Sequence, residues 1–358
     1  MNSSNGTRVV VGMSGGVDSS VSAALLKEQG YDVIGVMLRL WSDSDSQNRC
    51  CAPDAQAEAR YIAGLLEFPF YVIDAQDQFY QAVVLPFIDG YAQGITPNPC
   101  LNCNRFIRWD FLLERAAALG AKYLATGHYA RIQQTPTEQY QLLKSRDLQK
   151  DQSYVLHVLT QKSLSQTIFP LANLSKPQVR KLAREYSLPV AERPDSQDLC
   201  FVGQGDYRDF LRKTDPSINK PGPILDPEGK IIGEHPGLAD FTIGQRKGLR
   251  ISSSESLYVI RKDIDQNALI IGNREHLGRR DFFADQVNWI AGVPPQDPIH
   301  ATIKIRYKSP ETPGTITALK GHSVQIQLES PLPDITPGQA AVFYQNDICL
   351  GGGIIRSD

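Results

Sequence analysis

Two kinds of hydrophobic pattern alternate along the first third of the chain. Residues 8–13 read as a buried strand, apolar without a break from Val9 onward. Residues 19–29 repeat apolar positions at helical spacing and are closed by Gly30. The same reading predicts a strand over 31–40, a helix over 55–66, a strand over 70–73 and a helical segment over 79–91 that Pro86 should kink. After the loop TPNPCLNCNRF come a helix over 107–119, ended by Gly120, and a strand over 123–126. Strands separated by helices imply a parallel sheet covered on both faces. From about Gly203 the pattern changes: Pro and Gly accumulate and helical periodicity fades. Short alternating strands are predicted over 256–260, 267–271, 301–307, 315–319, 323–328 and 340–344, with turns at Asp265-Gln266, Lys320-Gly321 and Asn346-Asp347. This is a separate all-β region, a small barrel or sandwich.

Length and composition narrow the class. A chain of 358 residues exceeds one ordinary core, so more than one domain is expected. Hydrophobic content of 41% and charged content of 21% describe a soluble globular protein. No apolar run reaches the ~18 residues of a membrane-spanning helix. The first residues lack the basic-then-apolar pattern of a signal peptide, so a cytoplasmic location without membrane association is expected. In a reducing compartment the six thinly spread cysteines are catalytic, metal-binding or inert rather than a disulfide framework. A net charge of −2 gives no global attraction to nucleic acid, so any polyanion must be held by local basic patches.

The junction VVVGMSGGVDSS, at residues 9–20, carries the first chemistry. Gly15 and Gly16 allow positive φ and close backbone approach, and the free N–H groups of the first helical turn favour an anion. A tight turn with Asp18 and Ser19 opening the helix would have the same residue types. No GxxxxGK[ST] string is present, so this is not a Walker loop. A second chemical signal is the cysteine set. Cys103 and Cys200 lie in polar, Gly/Pro/Asp-containing loops, Cys103 near a predicted helix N-terminus where a thiol pKa is lowered. Cys349 lies in an apolar strand and reads as a small buried hydrophobe, as do Cys50 and Cys51. In HATIKIRYK, alternation places Thr302, Lys304, Arg306 and Lys308 on one face and Ala301, Ile303, Ile305 and Tyr307 on the other. This is either an RNA-facing strand or an ordinary solvated one.

The string SGGVDSS after a buried first strand resembles the PP-loop of N-type ATP pyrophosphatases. With it, TPNPxxxCN, ATGHYAR, KDQSYVL, RPDSQDLCF, FTIGQRKGL, the IRY strand and PGQAAVFY, in order along the chain, resemble the tRNA-specific 2-thiouridylases. The resemblance implies an α/β plus β architecture: an N-terminal PP-loop parallel-sheet domain of the adenine nucleotide alpha hydrolase type over 1–205, a small central β domain over 206–280, and a tRNA-contacting C-terminal β-barrel over 281–358. It implies ATP at Gly12, Met13, Ser14, Gly15, Gly16, Val17, Asp18, Ser19, Met37 and Gly127, with Mg²⁺ screening the triphosphate and Asp18 contributing. It implies 2-thiolation of the wobble uridine of tRNA: the C2 oxygen is adenylated, then a persulfide on Cys200 supplies sulfur. Cys103 acts as the partner nucleophile, ending in a Cys103–Cys200 disulfide. Asn98, Pro99 and Cys100 would line the base pocket, and His128, Lys150, Asp151, Gln152, Arg306, Tyr307 and Gln339 would meet tRNA. A sulfur-donor protein, a cysteine desulfurase or relay protein, would be the second partner.

One departure leaves an alternative open. Many members carry Asp at the position of Cys100. Three thiolates at Cys100, Cys103 and Cys200 can hold a [4Fe–4S] cluster with one iron open for hydrosulfide. Other readings are another PP-loop adenylating ligase, which needs no cysteine pair, and a non-catalytic RNA-binding or Fe–S protein, which needs no ATP.

Overall fold

The computed structural model describes residues 6–41, 53–194, 199–203 and 205–357; Cys50 and Cys51 lie outside them. Five parallel strands form the first sheet: β1 (Arg8–Gly12), β2 (Asp32–Arg39), β3 (Phe70–Asp74), β4 (Tyr123–Ala125) and, introduced after an intervening hairpin, β7 (Thr167–Ile168). Their order is β3-β2-β1-β4-β7. The buried Val9–Val11 run of β1 follows from its central place. Val9 and Val11 enter one core with Val21, Leu26 and Met37, while Val10 enters the opposite core with Val36, Trp109 and Leu124.

Pro86 does not break its helix. The turns Tyr80–Val84 widen to π geometry between Gln76–Phe79 and Leu85–Ala92, and helical structure continues through Pro86. A widened turn gives room where the proline ring would otherwise clash with the preceding turn and where one N–H is missing. The helix predicted to begin at residue 107 begins earlier, at Pro99. Asn98 caps it by accepting from Cys100 N at 3.2 Å, and it continues as a π segment over Cys103–Leu112. Pro at the first helical position removes a donor that has no helical partner, which is why the TPNPC loop turns into a helix there.

The hairpin β5 (Ala130–Gln134) and β6 (Tyr140–Lys144) leaves the first sheet and joins the barrel instead. The central domain holds β8 (Gly222–Leu225), β9 (Ile231–His235), β10 (Tyr258–Asp263) and β11 (Ala268–Gly272), in the order β10-β11-β8-β9, around Ile224, Val259, Leu269 and Ile271. The amphipathic helix Tyr207–Thr214 precedes it, in a region where fading periodicity had predicted no helix. The last six strands, β12 (Arg279–Trp289), β13 (Ile299–Lys304), β14 (Thr312–Leu319), β15 (Ser323–Leu332), β16 (Ala340–Gln345) and β17 (Ile348–Ile355), close into a barrel through β12–β17 pairing. β17 also pairs with β6, Cys349 opposite Leu142. The strand predicted over 301–307 ends at Lys304, so the alternation does not carry Arg306 and Lys308 onto one sheet face.

Besides the β6–β17 pairing, the barrel meets the α/β half at a short joint on the loop before the Pro99 helix. Thr96 N donates to Pro337 O at 2.9 Å, and Gln339 Nε2 donates to Thr96 O at 2.7 Å. Replacing Gln339 with Ala leaves the half-buried Thr96 carbonyl without this donor. A loss of about 1–2 kcal/mol is expected, read as a lower thermal midpoint together with faster limited proteolysis in the 94–98 segment. Unchanged cleavage there would mean that the joint does not order the loop.

Candidate functional site

The loop after β1 sits where β1, β2 and β4 end, the edge at which parallel sheets bind ligands. Met13 N donates to Val36 O at 2.8 Å, holding the strand end against β2. Beyond it Ser14 is exposed and Gly16 and Asp18 are half-buried, whereas Val17, Ser19 and Ser20 are buried. Gly15 adopts φ +69°, and a Cβ there would lie 2.7 Å from Ala55 O, so both conformation and space require glycine. Gly16, expected to share that conformation, is instead extended at φ −99° as the N-cap of the helix Val17–Glu28. Ser19 Oγ bonds Ser14 N at 3.2 Å and Gly16 O at 3.1 Å, which rounds the loop into a cradle. Gly127, following β4, presses directly on the start of that helix: a Cβ would come within 2.9 Å of Ser19 N. Gly12 lines the strand end with ordinary clearance, and the Met37 side chain is 2% exposed in the core, so only its main chain reaches the edge.

Asp18 is engaged from within the protein. Lys176 Nζ lies 2.8 Å and 2.7 Å from its two oxygens, and Tyr129 OH donates to Oδ1 at 2.7 Å. Lys176 is buried, and it stands in the first turn of the helix Lys176–Glu185, where the helix dipole disfavours a cation. A lysine placed against the dipole is the one hint of it in the sequence. This arrangement does not fit the Mg²⁺ role expected of Asp18, and among the described residues no three His, Cys, Asp or Glu side chains gather to hold a metal ion.

The cysteines differ in setting. Cys100 is exposed in the first helical turn, one turn before Cys103, which is buried in a hydrophobic cluster with Phe79, Phe87 and Phe201. Cys200 packs against the edge of that same cluster, anchored by Phe201, whose ring lies 5.9 Å from Phe79 and 5.2 Å from Phe87. Two segments far apart in sequence are thereby brought together. Pro99 is buried and Asn98 half-buried beside them.

Several residues expected to meet tRNA have internal partners. His128 is buried between Trp109 and Phe169, and its Nδ1 bonds Thr126 Oγ1 at 2.8 Å. Burial, then the nearby Arg108 cation, holds its pKa well below 6.5. Asp151 is buried and accepts from Ser145 N and Ser153 Oγ; Gln152 Oε1 accepts from Tyr129 N at 2.9 Å; Lys150 is half-buried. Arg306 donates to Ile243 O at 3.1 Å and to Thr336 Oγ1, bracing the central domain on the barrel. Tyr307 is half-buried, its phenol pushed up to about 12 by burial and by Asp151 and Cys100 nearby. Burial thus fills roles that residue type alone cannot distinguish from contact with a ligand.

Three family models cover the chain: a tRNA methyl transferase HUP domain over residues 7–204, a tRNA methyl transferase PRC-barrel domain over 208–273, and an aminomethyltransferase β-barrel domain over 279–355. The fold and loop together define a HUP-type α/β protein carrying a PRC-barrel and a closed six-stranded barrel. Among curated proteins the chain is similar to the tRNA-specific 2-thiouridylase MnmA of Moorella thermoacetica, 44% identical over 97% of this chain and 99% of that one. It is similar to those of Natranaerobius thermophilus (44%, 97% of each) and Chloroflexus aggregans (45%, 97% and 98%). The chain belongs to the tRNA-specific 2-thiouridylase family.

Two outcomes follow from these electrostatics. Lys176→Met leaves Asp18 without its cation, and a loss of about 1–3 kcal/mol is expected, with loss of ATP binding by calorimetry. Adding Asp18→Asn should restore the thermal midpoint without restoring binding. His128 and His157 are held neutral by burial, His157 with a pKa near 4 and with Nδ1 2.7 Å from Tyr154 O. Above pH 6.5 folded and unfolded rings are both neutral. As pH falls below that, the unfolded chain takes up protons that the buried rings refuse, and stability drops towards pH 4. His157→Gln should flatten the dependence of thermal midpoint on pH.

Proposed function

We propose that this chain is an ATP-dependent tRNA-uridine 2-sulfurtransferase acting on the wobble uridine. The observation that carries the reading is the convergence of Cys103 and Cys200 on one hydrophobic cluster, beside a loop that the barrel turn Pro337–Gln339 holds. The names of the full-length relatives support tRNA and thiolation.

The chemistry asks for both halves. A uracil C2 carbonyl is a poor electrophile, and its oxygen leaves poorly. Its attack on the α-phosphate of ATP, cradled by Gly12–Ser19, releases pyrophosphate and turns the oxygen into part of an AMP leaving group. A terminal sulfur on Cys200, deprotonated as a persulfide, then attacks C2, and AMP departs with the oxygen. The Cys103 thiolate attacks Cys200 Sγ, the S–S bond breaks, and its electron pair leaves with the sulfur on C2 as the thiocarbonyl. The two cysteines are oxidised to a disulfide; an external dithiol reduces it, itself becoming a disulfide, and the sulfur-donor protein then passes its persulfide sulfur to Cys200. Burial of Cys103 keeps water from the persulfide, while exposed Cys100, with Asn98 and Pro99, lies where a splayed base enters. Tyr307, whose phenol senses the Cys100 thiol, would line that approach from the barrel side. Lys150 and the barrel surface supply phosphate contacts, with Arg306 and Gln339 bracing them.

Cys103→Ser and Cys200→Ser are each expected to abolish 2-thiouridine while tRNA-stimulated pyrophosphate release persists; thionucleoside analysis of tRNA incubated with ATP and a sulfide source reads the first, a pyrophosphate assay the second. Cys100→Asp should retain turnover. After anaerobic reconstitution with iron and sulfide, activity that tracks iron content and vanishes in Cys100→Ala would overturn the persulfide route in favour of a cluster.

A further inference from the structure

The peptide between Gly15 and Gly16 is gripped from one side. Arg193 Nη1 donates to Gly15 O at 2.7 Å and to Glu58 Oε2 at 2.5 Å. Arg193 is itself held: Arg180 Nη1 donates to Ala191 O at 2.6 Å and Nη2 to Arg193 O at 3.0 Å. Arg180 shares the helix Lys176–Glu185 with the lysine that pairs Asp18, so one helix fixes both ends of the loop. In a planar peptide the carbonyl and the next N–H point in opposite directions. With Gly15 O turned to Arg193, the Gly16 N–H is turned to the opposite side of the loop. Around Gly16 itself little is crowded: a Cβ there would meet only Ser14 Oγ, at 3.3 Å. Two adjacent glycines make this peptide easy to flip. A flip would put the Gly15 carbonyl, an acceptor, where phosphate oxygens need a donor.

We propose that Arg193 is a positioning residue for nucleotide binding, which holds the Gly15–Gly16 peptide so that the Gly16 N–H donates to a phosphate oxygen of ATP. The inference rests on the reading of this loop as the ATP site. Glu58 neutralises Arg193, so the arginine acts by orienting the peptide and not by adding charge to the site.

The test uses the full-length protein with inorganic pyrophosphate and ATP as probes. Arg193→Met should weaken pyrophosphate binding by about tenfold, because only the fraction of molecules with the donor facing outward binds. It should raise KM for ATP while kcat at saturating ATP stays near wild type. Arg193→Lys, which can still reach a carbonyl, should recover most of the affinity, and Glu58→Gln should keep it. In the wild type the Gly16 amide resonance should shift on adding pyrophosphate, an observation that needs no variant. Wild-type pyrophosphate affinity in folded Arg193→Met, or an unmoved Gly16 amide in a wild type that binds pyrophosphate, would overturn the proposal alone. A wild type that binds neither probe would overturn the ATP reading, and the proposal with it.

Discussion

Thr96 carries the constraint that ties the cysteine loop to the barrel. Its N–H is taken by the barrel through Pro337, and its carbonyl is taken by Gln339 of the same turn. The residue stands two positions before the N-cap that starts the cysteine helix. The barrel therefore holds the chain just before a helix whose start Asn98 and Pro99 set locally and whose Cys103 the aromatic cluster buries. The aromatic cluster around Phe201 then needs only to bring the Cys200 segment to a helix already in place.

The nucleotide half is organised around a different principle, the pairing of charges inside the protein. Lys176 with Asp18, and Arg193 with Glu58, are cation–carboxylate pairs at the two ends of one loop. Each is partly shielded from water, so each restricts geometry more than an exposed pair would. The loop is left with backbone donors as its means of meeting an anion, and backbone donors are oriented by what holds their carbonyls.

Much of this was legible in the residues. The central strand 8–13, the glycine junction and the separation of an α/β half from an all-β half follow from periodicity and punctuation. The order of matching strings along the chain named the family. What could not be read was tertiary. Whether His128, Asp151 or Arg306 faces a ligand or a neighbour depends on burial, and a polar side chain looks the same in either setting. Lys176, Tyr129, Glu58 and Arg193 come from separate segments whose meeting no local pattern records. Strand ends were misjudged where alternation outlasted pairing: Ile305 remains buried, but the ladder has stopped at Lys304. The helix at 207–214 was hidden by its brevity and by the prolines and glycines around it.

The hairpin β5–β6 has a consequence for how the chain is divided. It belongs by sequence to the first half and by hydrogen bonding to the last, where it covers β17 at Ile348 and Cys349. A fragment cut between the halves would present that part of β17 as an open sheet edge, with an apolar strand and a thiol behind it. Such an edge recruits other strands. The protein has modular parts along its length, yet as a folded object it cannot be separated there without creating a surface that self-associates. Synthesis of the barrel therefore finishes against a template that the ribosome has already delivered.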